Sequence, residues 1–221
     1  MKPELRRRLV EAVGAGAVKD GELVVPRTAE QVAAVCRLCH ESGLPVSVAS
    51  GDGAQRGVVA GVLLSLRALD AITVDAAHGV LRAQAGAKLA AVAAAAGRAG
   101  TALAATADGS AERLGSALAV GSLPRRAVLS LELVLSDGTR VRTGSELPKD
   151  VTGYDLTALV LGSRGAMAVI VEASLRLAPH SALPGGLRAN FPLARGREGE
   201  LTHRLRRAFD PLGRLRPDLE R

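Results

Sequence analysis

The chain has 221 residues, 48% of them hydrophobic, but only one tyrosine, two phenylalanines and no tryptophan. This length is enough to bury a core, and a core built from Ala, Val and Leu suits helices packed on sheets. The net charge is +7 at pH 7, yet so few aromatic rings leave little to stack on bases, which argues against a protein that binds single-stranded nucleic acid.

The location of the protein is predicted from what the sequence lacks. No apolar run approaches the roughly 20 residues of a membrane span, and no signal peptide opens the chain. The two cysteines are few and close together, as is usual in a reducing compartment. We therefore expect a cytoplasmic protein without a transmembrane segment.

The first part of the chain predicts a strand–helix–strand unit. Pro3 to Val13 has the pattern of a short amphipathic helix, and a brief strand follows at Glu22 to Pro26. Thr28 and Gln31 form a capping-box pattern for a second helix, which leads into a strand at 44–50. Two strands joined through one helix are expected to run parallel.

The second helix contains the string C-x-x-C-H at Cys36, Cys39 and His40. A redox pair needs a helix N-terminus to lower its thiol pKa, covalent haem attachment belongs to exported proteins, and zinc needs a second ligand pair. We therefore predict that both cysteines are core residues. The four histidines lie far apart in the sequence, so no catalytic residue and no metal ligand is assigned: His40, His78, His180 and His203.

A glycine-rich loop, S-G-D-G-A-Q-R-G, follows at residues 50–57. Small residues let the main chain approach phosphate oxygens closely, so this loop is a candidate diphosphate-binding segment. An ordinary surface turn is the alternative, because a lone G-x-G pattern is weak evidence. Asp52 also places a carboxylate where a diphosphate would lie.

The middle of the chain predicts mainly antiparallel strands with helices. The predicted elements are a strand at 58–66, a hairpin of 72–74 with 80–85, an alanine-rich helix that ends near Gly97, and a hairpin of 127–135 with 140–142 across an Asp-Gly turn. The stretch from Gly100 to Ala105 is expected to lead into a loop.

The stretch from Pro148 to Leu177 carries the most specific pattern. It contains K-D-V-T-G-Y-D-L, a short helix at 156–161, a Gly-Ser-Arg-Gly turn at 162–165 and an alternating strand from Val169. The glycines suggest positive φ, and so tight a turn can present unpaired backbone N–H groups to an anion or a planar ring. Asp155 could instead cap the short helix without touching a ligand.

These motifs resemble the FAD-binding module of the flavin-linked oxidase family of the vanillyl-alcohol oxidase type, near its glycolate oxidase and D-lactate dehydrogenase branch. The matching strings are K-D-V-T-G-Y-D-L, G-S-x-G-x-x-x-V-I-x-E-A-x-L-R-L and V-x-P-R-T-x-E-Q-V-A-A-V. The resemblance implies an α+β, two-lobed PCMH-type FAD-binding fold over 1–180. A small βαβ lobe would cover about 20–70, and a larger, mainly antiparallel lobe with helices would cover about 71–180.

The resemblance also implies where FAD would bind. The loop at 50–57 would hold its pyrophosphate, and a helix start in the segment 106–121 would hold its ring system together with the Val-Ile strand. The predicted cofactor-binding residues are Ser50, Gly51, Asp52, Gly53, Ala54, Gln55, Gly57, Thr106, Leu114, Gly115, Ser116, Ala119, Val169 and Ile170.

After Pro179 the pattern loosens, and only about twenty residues stand where the family carries a substrate-binding cap domain. Residues 181–221 are therefore expected to be a linker and a C-terminal helix, the remnant of a lost cap domain. Arginines concentrate in this segment. Such a basic tail can dock an acidic partner, although a solvated face is the plainer alternative.

Two functions remain open from the sequence. The first is an FAD-binding subunit or accessory of a glycolate- or lactate-type oxidoreductase that does not turn over substrate alone, because the groups that orient a hydroxy acid are missing. The second is a flavin-free scaffold that serves as a protein-interaction subunit. Asp52 favours this second function, as does the absence of the long segment that family members carry after Gly121. Nucleic-acid binding lacks a recognisable motif.

Overall fold

The computed structural model describes residues 2–19, 22–49, 61–103, 113–146, 155–179 and 200–216. Within these ranges the chain forms two β-sheets with helices packed against them. One sheet is mostly parallel and the other is antiparallel. The predicted α+β, two-lobed architecture is confirmed.

The bounds of the elements are as follows, in chain order. The helices are α1 (Pro3–Val13), α2 (Ala29–Glu41), α3 (Leu89–Arg98), α4 (Leu114–Val120), α5 (Leu156–Val160) and α6 (Glu200–Phe209). The strands are β1 (Val18–Lys19), β2 (Leu23–Val24), β3 (Val46–Ala49), β4 (Val62–Ser65), β5 (Ile72–Asp75), β6 (Val80–Gln84), β7 (Thr101–Leu103), β8 (Val128–Val134), β9 (Arg140–Gly144), β10 (Val169–Pro179) and β11 (Leu215–Arg216).

The first sheet has the strand order β1-β2-β4-β3-β11. β2 and β3 both run parallel to β4, which lies between them, so the predicted parallel relation of β2 and β3 is correct. α2 connects them and begins where the capping pattern predicts, because the Thr28 hydroxyl accepts a hydrogen bond from the Gln31 N–H at 3.2 Å. β11, from the end of the described chain, adds parallel to β3 at the sheet edge.

The two cysteines lie in the core between α2 and the first sheet. Both are free and buried, among side chains such as Leu9 of α1 and Leu64 of β4. Burial raises the pKa of both thiols, that of Cys39 to about 12. The thiols therefore stay protonated at neutral pH and pack as small apolar residues, as predicted.

The second sheet has the strand order β5-β6-β10-β8-β9, and each neighbouring pair is antiparallel. β10 is its central strand. Alternate residues of β10 and β8, such as Leu175 and Leu131, point into a second core that is closed by α3 and α4. The predicted alternation holds from Glu172 onward. The expectation that Val169 and Val171 share one face with Ala173 and Leu175 is wrong, because the pairing register shifts between Ile170 and Glu172 and the first two valines pack in the core of the first sheet.

Some short strands do not follow from the sequence. Residues 101–103 form β7, which pairs with Leu177–Pro179 of β10, whereas a segment leading into a loop was expected. β1 and β11 have two residues each. Two or three residues carry no readable periodicity, and these strands exist because a longer strand supplies their hydrogen-bond partners.

The region after Pro179 is described only from residue 200 onward. There α6 forms the expected C-terminal helix. Among the residues that the structure describes, none of the helices is long and apolar enough to cross a membrane.

Candidate functional site

The predicted site residues fall into two groups. The glycine-rich loop and the threonine lie outside the described residues, namely Ser50, Gly51, Asp52, Gly53, Ala54, Gln55, Gly57 and Thr106. The motif K-D-V-T-G-Y up to Tyr154 also lies outside them. The others lie on α4 and at the start of β10, namely Leu114, Gly115, Ser116, Ala119, Val169 and Ile170.

The structure brings α4 and the start of β10 together. The N–H of Gly115 donates to the carbonyl oxygen of Ala85 at 2.7 Å. The N–H of Ala85 donates in turn to the carbonyl oxygen of Val171 at 2.9 Å. The Ile170 side chain packs in the same core as Leu114. The predicted ring-binding segments are therefore adjacent and joined through the residue that follows β6.

Val169 and Ile170 belong to different cores. Val169 packs in the core of the first sheet, and Ile170 packs in the core of the second. Both side chains are buried, with 1% and 6% of their surface exposed. The start of β10 therefore lies where the two lobes meet, which is where a ligand shared by both lobes would have to bind.

The Gly-Ser-Arg-Gly turn at 162–165 packs against the second half of α4. Gly162 and Gly165 have φ angles of 77° and 76°, the positive values that the sequence predicted for these glycines. The expectation that this turn offers unpaired N–H groups is wrong for three of its residues. Gly162 and Arg164 donate to the Leu118 and Ala119 carbonyls of α4 at 3.0 and 2.8 Å, and Ser163 donates to Val160 at 3.1 Å.

The first backbone N–H groups of α4 are also hydrogen-bonded within the protein. The N–H of Leu114 donates to the carbonyl of Ala87 at 2.9 Å, and that of Gly115 donates to Ala85. The side chain of Leu114 is fully buried, whereas Ser116 and Ala119 are partly exposed. α4 can therefore contribute small side chains to a ligand surface, while its first two N–H groups hold the fold.

β3, after which the glycine-rich loop follows in the sequence, ends beside this assembly. The carbonyl of Ala49, the last residue of β3, accepts a hydrogen bond from the N–H of Leu66 at 2.8 Å. Leu66 packs in turn on Gly86, where an added Cβ would lie 2.1 Å from the Leu66 oxygen. The end of β3 is thus connected through Leu66 to Gly86, which lies in the short segment between β6 and α3.

A basic residue that was not predicted from the sequence as a site residue lies beside Gly86. Arg113 directly precedes α4, and its Nη1 donates to the Gly86 carbonyl at 2.5 Å. Lys88 pairs with Arg113 in an isolated antiparallel bridge. The sequence holds many arginines, and no signal in it separates this one from those on the solvent-exposed surface.

Ion pairs hold Glu146 and Asp155, the described residues on either side of 147–154, which lie outside the described ranges. Glu146 accepts hydrogen bonds from Arg82 and from the Ser174 hydroxyl, and the Arg82 bonds hold the Glu146 pKa below its usual value. Asp155 accepts from Arg125 at 2.8 Å, which likewise lowers the pKa of Asp155. Asp155 also caps α5 through the Ala158 N–H at 3.1 Å, as the sequence suggested.

The sequence of residues 22–144 matches the family described as the FAD binding domain. The chain belongs to this family. It is 32% identical over 170 residues to the D-lactate dehydrogenase of Archaeoglobus fulgidus, a match that covers 71% of this chain and 38% of that relative. It is 50% identical over 52 residues to the glycolate oxidase subunit GlcD of Bacillus subtilis, covering 24% of this chain and 11% of that subunit.

Solved structures support the same fold. The FAD-binding domain aligns with alkyldihydroxyacetonephosphate synthase at a TM-score of 0.65 and 16% identity. The alignment covers 81% of this chain and 41% of the synthase chain. The chain thus spans less than half the length of these matched proteins. The predicted membership of the FAD-linked oxidases is confirmed, and the family and its relatives support FAD as the cofactor.

The described segments fit such a ligand. Ser116, Ala119 and the turn at 162–165 are partly exposed and mostly small, so a planar ring can approach their backbone. Arg113 and Lys88 have the charge that a pyrophosphate requires. Within the described ranges no group of three or more His, Cys, Asp or Glu residues could hold a metal ion. The roles of the individual site residues stay predictions.

Proposed function

We propose that this FAD-binding domain is the flavin-carrying component of an oxidoreductase for a 2-hydroxy acid of the glycolate or lactate type. The observation that carries the proposal is the backbone connection from Gly115 through Ala85 to Val171, which holds α4 against the start of β10. Similarity to a D-lactate dehydrogenase and to a glycolate oxidase subunit supports the class of substrate.

The cofactor would be held by the chain's own segments. The loop at 50–57 would bind the pyrophosphate, and the surface from Leu114 to Ala119, with Val169 and Ile170, would support the ring. Bound FAD would supply the two-electron acceptor for oxidation of the hydroxy acid. Burial of Val169 and Ile170 means that they would support the ring mainly with backbone atoms.

We also propose that substrate is oriented by groups outside this chain. A hydroxy acid must be held beside the flavin by cationic groups and a base, and proximity contributes much of the rate of such a reaction. A partner subunit could provide these groups, since one relative is itself described as a subunit of glycolate oxidase. Arg204 and Arg207 are exposed on α6 and would suit an acidic surface of that partner.

The test begins with the purified chain and FAD. We expect added FAD to bind with a Kd on the order of micromolar, seen as quenching of flavin fluorescence. Under anaerobic conditions glycolate or D-lactate should leave the absorbance of the bound flavin unchanged, while dithionite should bleach it. Bleaching by either acid would contradict the need for outside groups.

A pair of variants tests whether the flavin ring binds on the surface of α4. Ala119→Trp would fill the partly exposed surface of α4 and should abolish FAD binding. Ala93→Trp places the same side chain on the exposed face of α3 and should leave FAD binding unchanged. If the wild-type chain ignores FAD altogether, the proposal fails and a flavin-free scaffold becomes the better account.

A further inference from the structure

Arg113 has donors in a position where an anion could bind. Its guanidinium is partly buried between the start of α4 and the segment that follows β6, and Nη1 donates to the carbonyl of Gly86 at 2.5 Å. An arginine has five N–H donors, so this contact leaves most of them for other acceptors. In the described part of the chain we find no carboxylate paired with Arg113.

A second cation lies next to it. Lys88 and Arg113 face each other in an antiparallel bridge, a geometry in which Cβ atoms are about 4.5–5.5 Å apart. Like charges opposite each other on neighbouring strands are destabilising. Lys88 is exposed and no carboxylate in the described ranges pairs with it. The pair therefore concentrates positive charge that an anion would neutralise.

The position of this pair relates it to both lobes. Gly86 donates its N–H to the carbonyl of Leu69 at 2.7 Å and packs on Leu66, which is bonded to the last residue of β3. On its other side, Arg113 leads directly into α4. Contacts therefore connect Arg113 to the end of β3, through Gly86 and Leu66, and to the helix proposed to support the flavin ring.

We propose that Arg113, assisted by Lys88, binds the pyrophosphate of FAD. This assignment rests on the proposed function, because it requires FAD to bind. Pyrophosphate is a dianion, and planar arginine forms paired, charge-assisted hydrogen bonds with phosphate oxygens. The bond from Arg113 to Gly86 would hold the guanidinium in place before the ligand arrives, so little side-chain entropy is lost on binding.

The experiment compares ligands that differ in phosphate. FAD and riboflavin are titrated against wild type, Arg113→Gln and Arg113→Lys by flavin fluorescence, at low and high salt. Arg113→Gln should weaken FAD roughly tenfold to hundredfold, while riboflavin, which has no phosphate, should bind all three proteins equally. Arg113→Lys keeps the charge but loses the paired hydrogen bonds, so its FAD affinity should lie between those of wild type and Arg113→Gln. The salt dependence of FAD binding should be smaller in Arg113→Gln than in wild type.

Controls separate this role from a structural one. Arg98→Gln removes an exposed arginine at the end of α3 and should change neither titration. Thermal unfolding of each variant reports whether loss of the Gly86 contact harms the fold. Equal FAD affinity and salt dependence in wild type and Arg113→Gln would refute this assignment alone, as would equal weakening of FAD and riboflavin. Failure of wild type to bind FAD would overturn the proposed function as well.

Discussion

Gly86 is a single position at which the two lobes touch through backbone. An added Cβ would lie 2.1 Å from the Leu66 oxygen and 2.7 Å from the Leu69 oxygen, and both are main-chain atoms that cannot rotate away. Lack of space, and not an unusual φ, is therefore what requires glycine here. We expect Gly86→Ala to lower the free energy of unfolding by about 2–3 kcal/mol, measured by urea denaturation followed by circular dichroism.

Gly97 provides the matched control. It lies in α3, and an added Cβ there would meet nothing within 4 Å. Alanine loses less backbone entropy than glycine on folding, so Gly97→Ala should raise the free energy of unfolding by about 0.5–1 kcal/mol. If both variants changed stability in the same direction, close packing at Gly86 would not be the reason for its glycine.

Site residues could be predicted from the sequence only where they belong to a recognisable motif. The strings around Gly162 and Val169 are specific, and they led correctly to a turn with positive φ followed by a buried strand. The same strings could not reveal that α4 carbonyls take the N–H groups of Gly162 and Arg164, because that contact joins residues distant in sequence. Arg113 was missed for the same reason, since its neighbours Gly86 and Lys88 are set by the tertiary fold.

At the scale of elements, one buried carboxylate closes the turn from α6 to β11. Asp210 is only 2% exposed and accepts hydrogen bonds from the N–H groups of Arg214 at 2.8 Å and Leu215 at 2.7 Å. Arg214 in turn accepts from the Val46 N–H at 2.8 Å and donates from its side chain to the Gly43 carbonyl. This explains in physical terms why the string F-D-P-L-G carries an aspartate.

Asp210→Ala should therefore loosen β11 from the first sheet. It leaves two N–H groups without their acceptor, and an unsatisfied buried donor costs about 1–3 kcal/mol. Hydrogen exchange should become faster at the amides of Leu215 and Val46, with smaller changes in the second sheet. Asp70→Ala removes an exposed carboxylate and is the control. Uniformly faster exchange across both sheets would instead indicate that β11 supports the whole fold.

The longer elements were predictable from local features of the sequence. The boundaries of α1 and α2 follow from apolar spacing and from the cap at Thr28, which are local features. β10 follows from its alternation over many residues. β7 and β11 were not predictable, because each owes its extended shape to a partner strand and not to its own residues.

At the scale of the whole molecule, side chains from one sheet pack in the core of the other. Val134 and Val171 belong to strands of the second sheet, yet they pack in the core of the first. The turn between β8 and β9 also contacts α2, where an added Cβ on Gly138 would lie 2.4 Å from the Ala33 oxygen. Arg140 of β9 extends this contact through a hydrogen bond to Glu30. Such shared packing predicts one cooperative unfolding transition.

A ligand that touches both lobes should raise the temperature of that whole transition. At FAD concentrations one hundred times its Kd, binding adds about 2.7 kcal/mol, which is roughly 5–10 °C for a chain of this size. Circular dichroism reports the sheets, and the rise in fluorescence on flavin release reports the site, so both should give the same midpoint. ADP lacks the isoalloxazine ring, which would contact α4 and β10, and should produce a smaller shift. Two transitions, of which FAD moves only one, would mean that the lobes unfold separately and that FAD binds one of them alone.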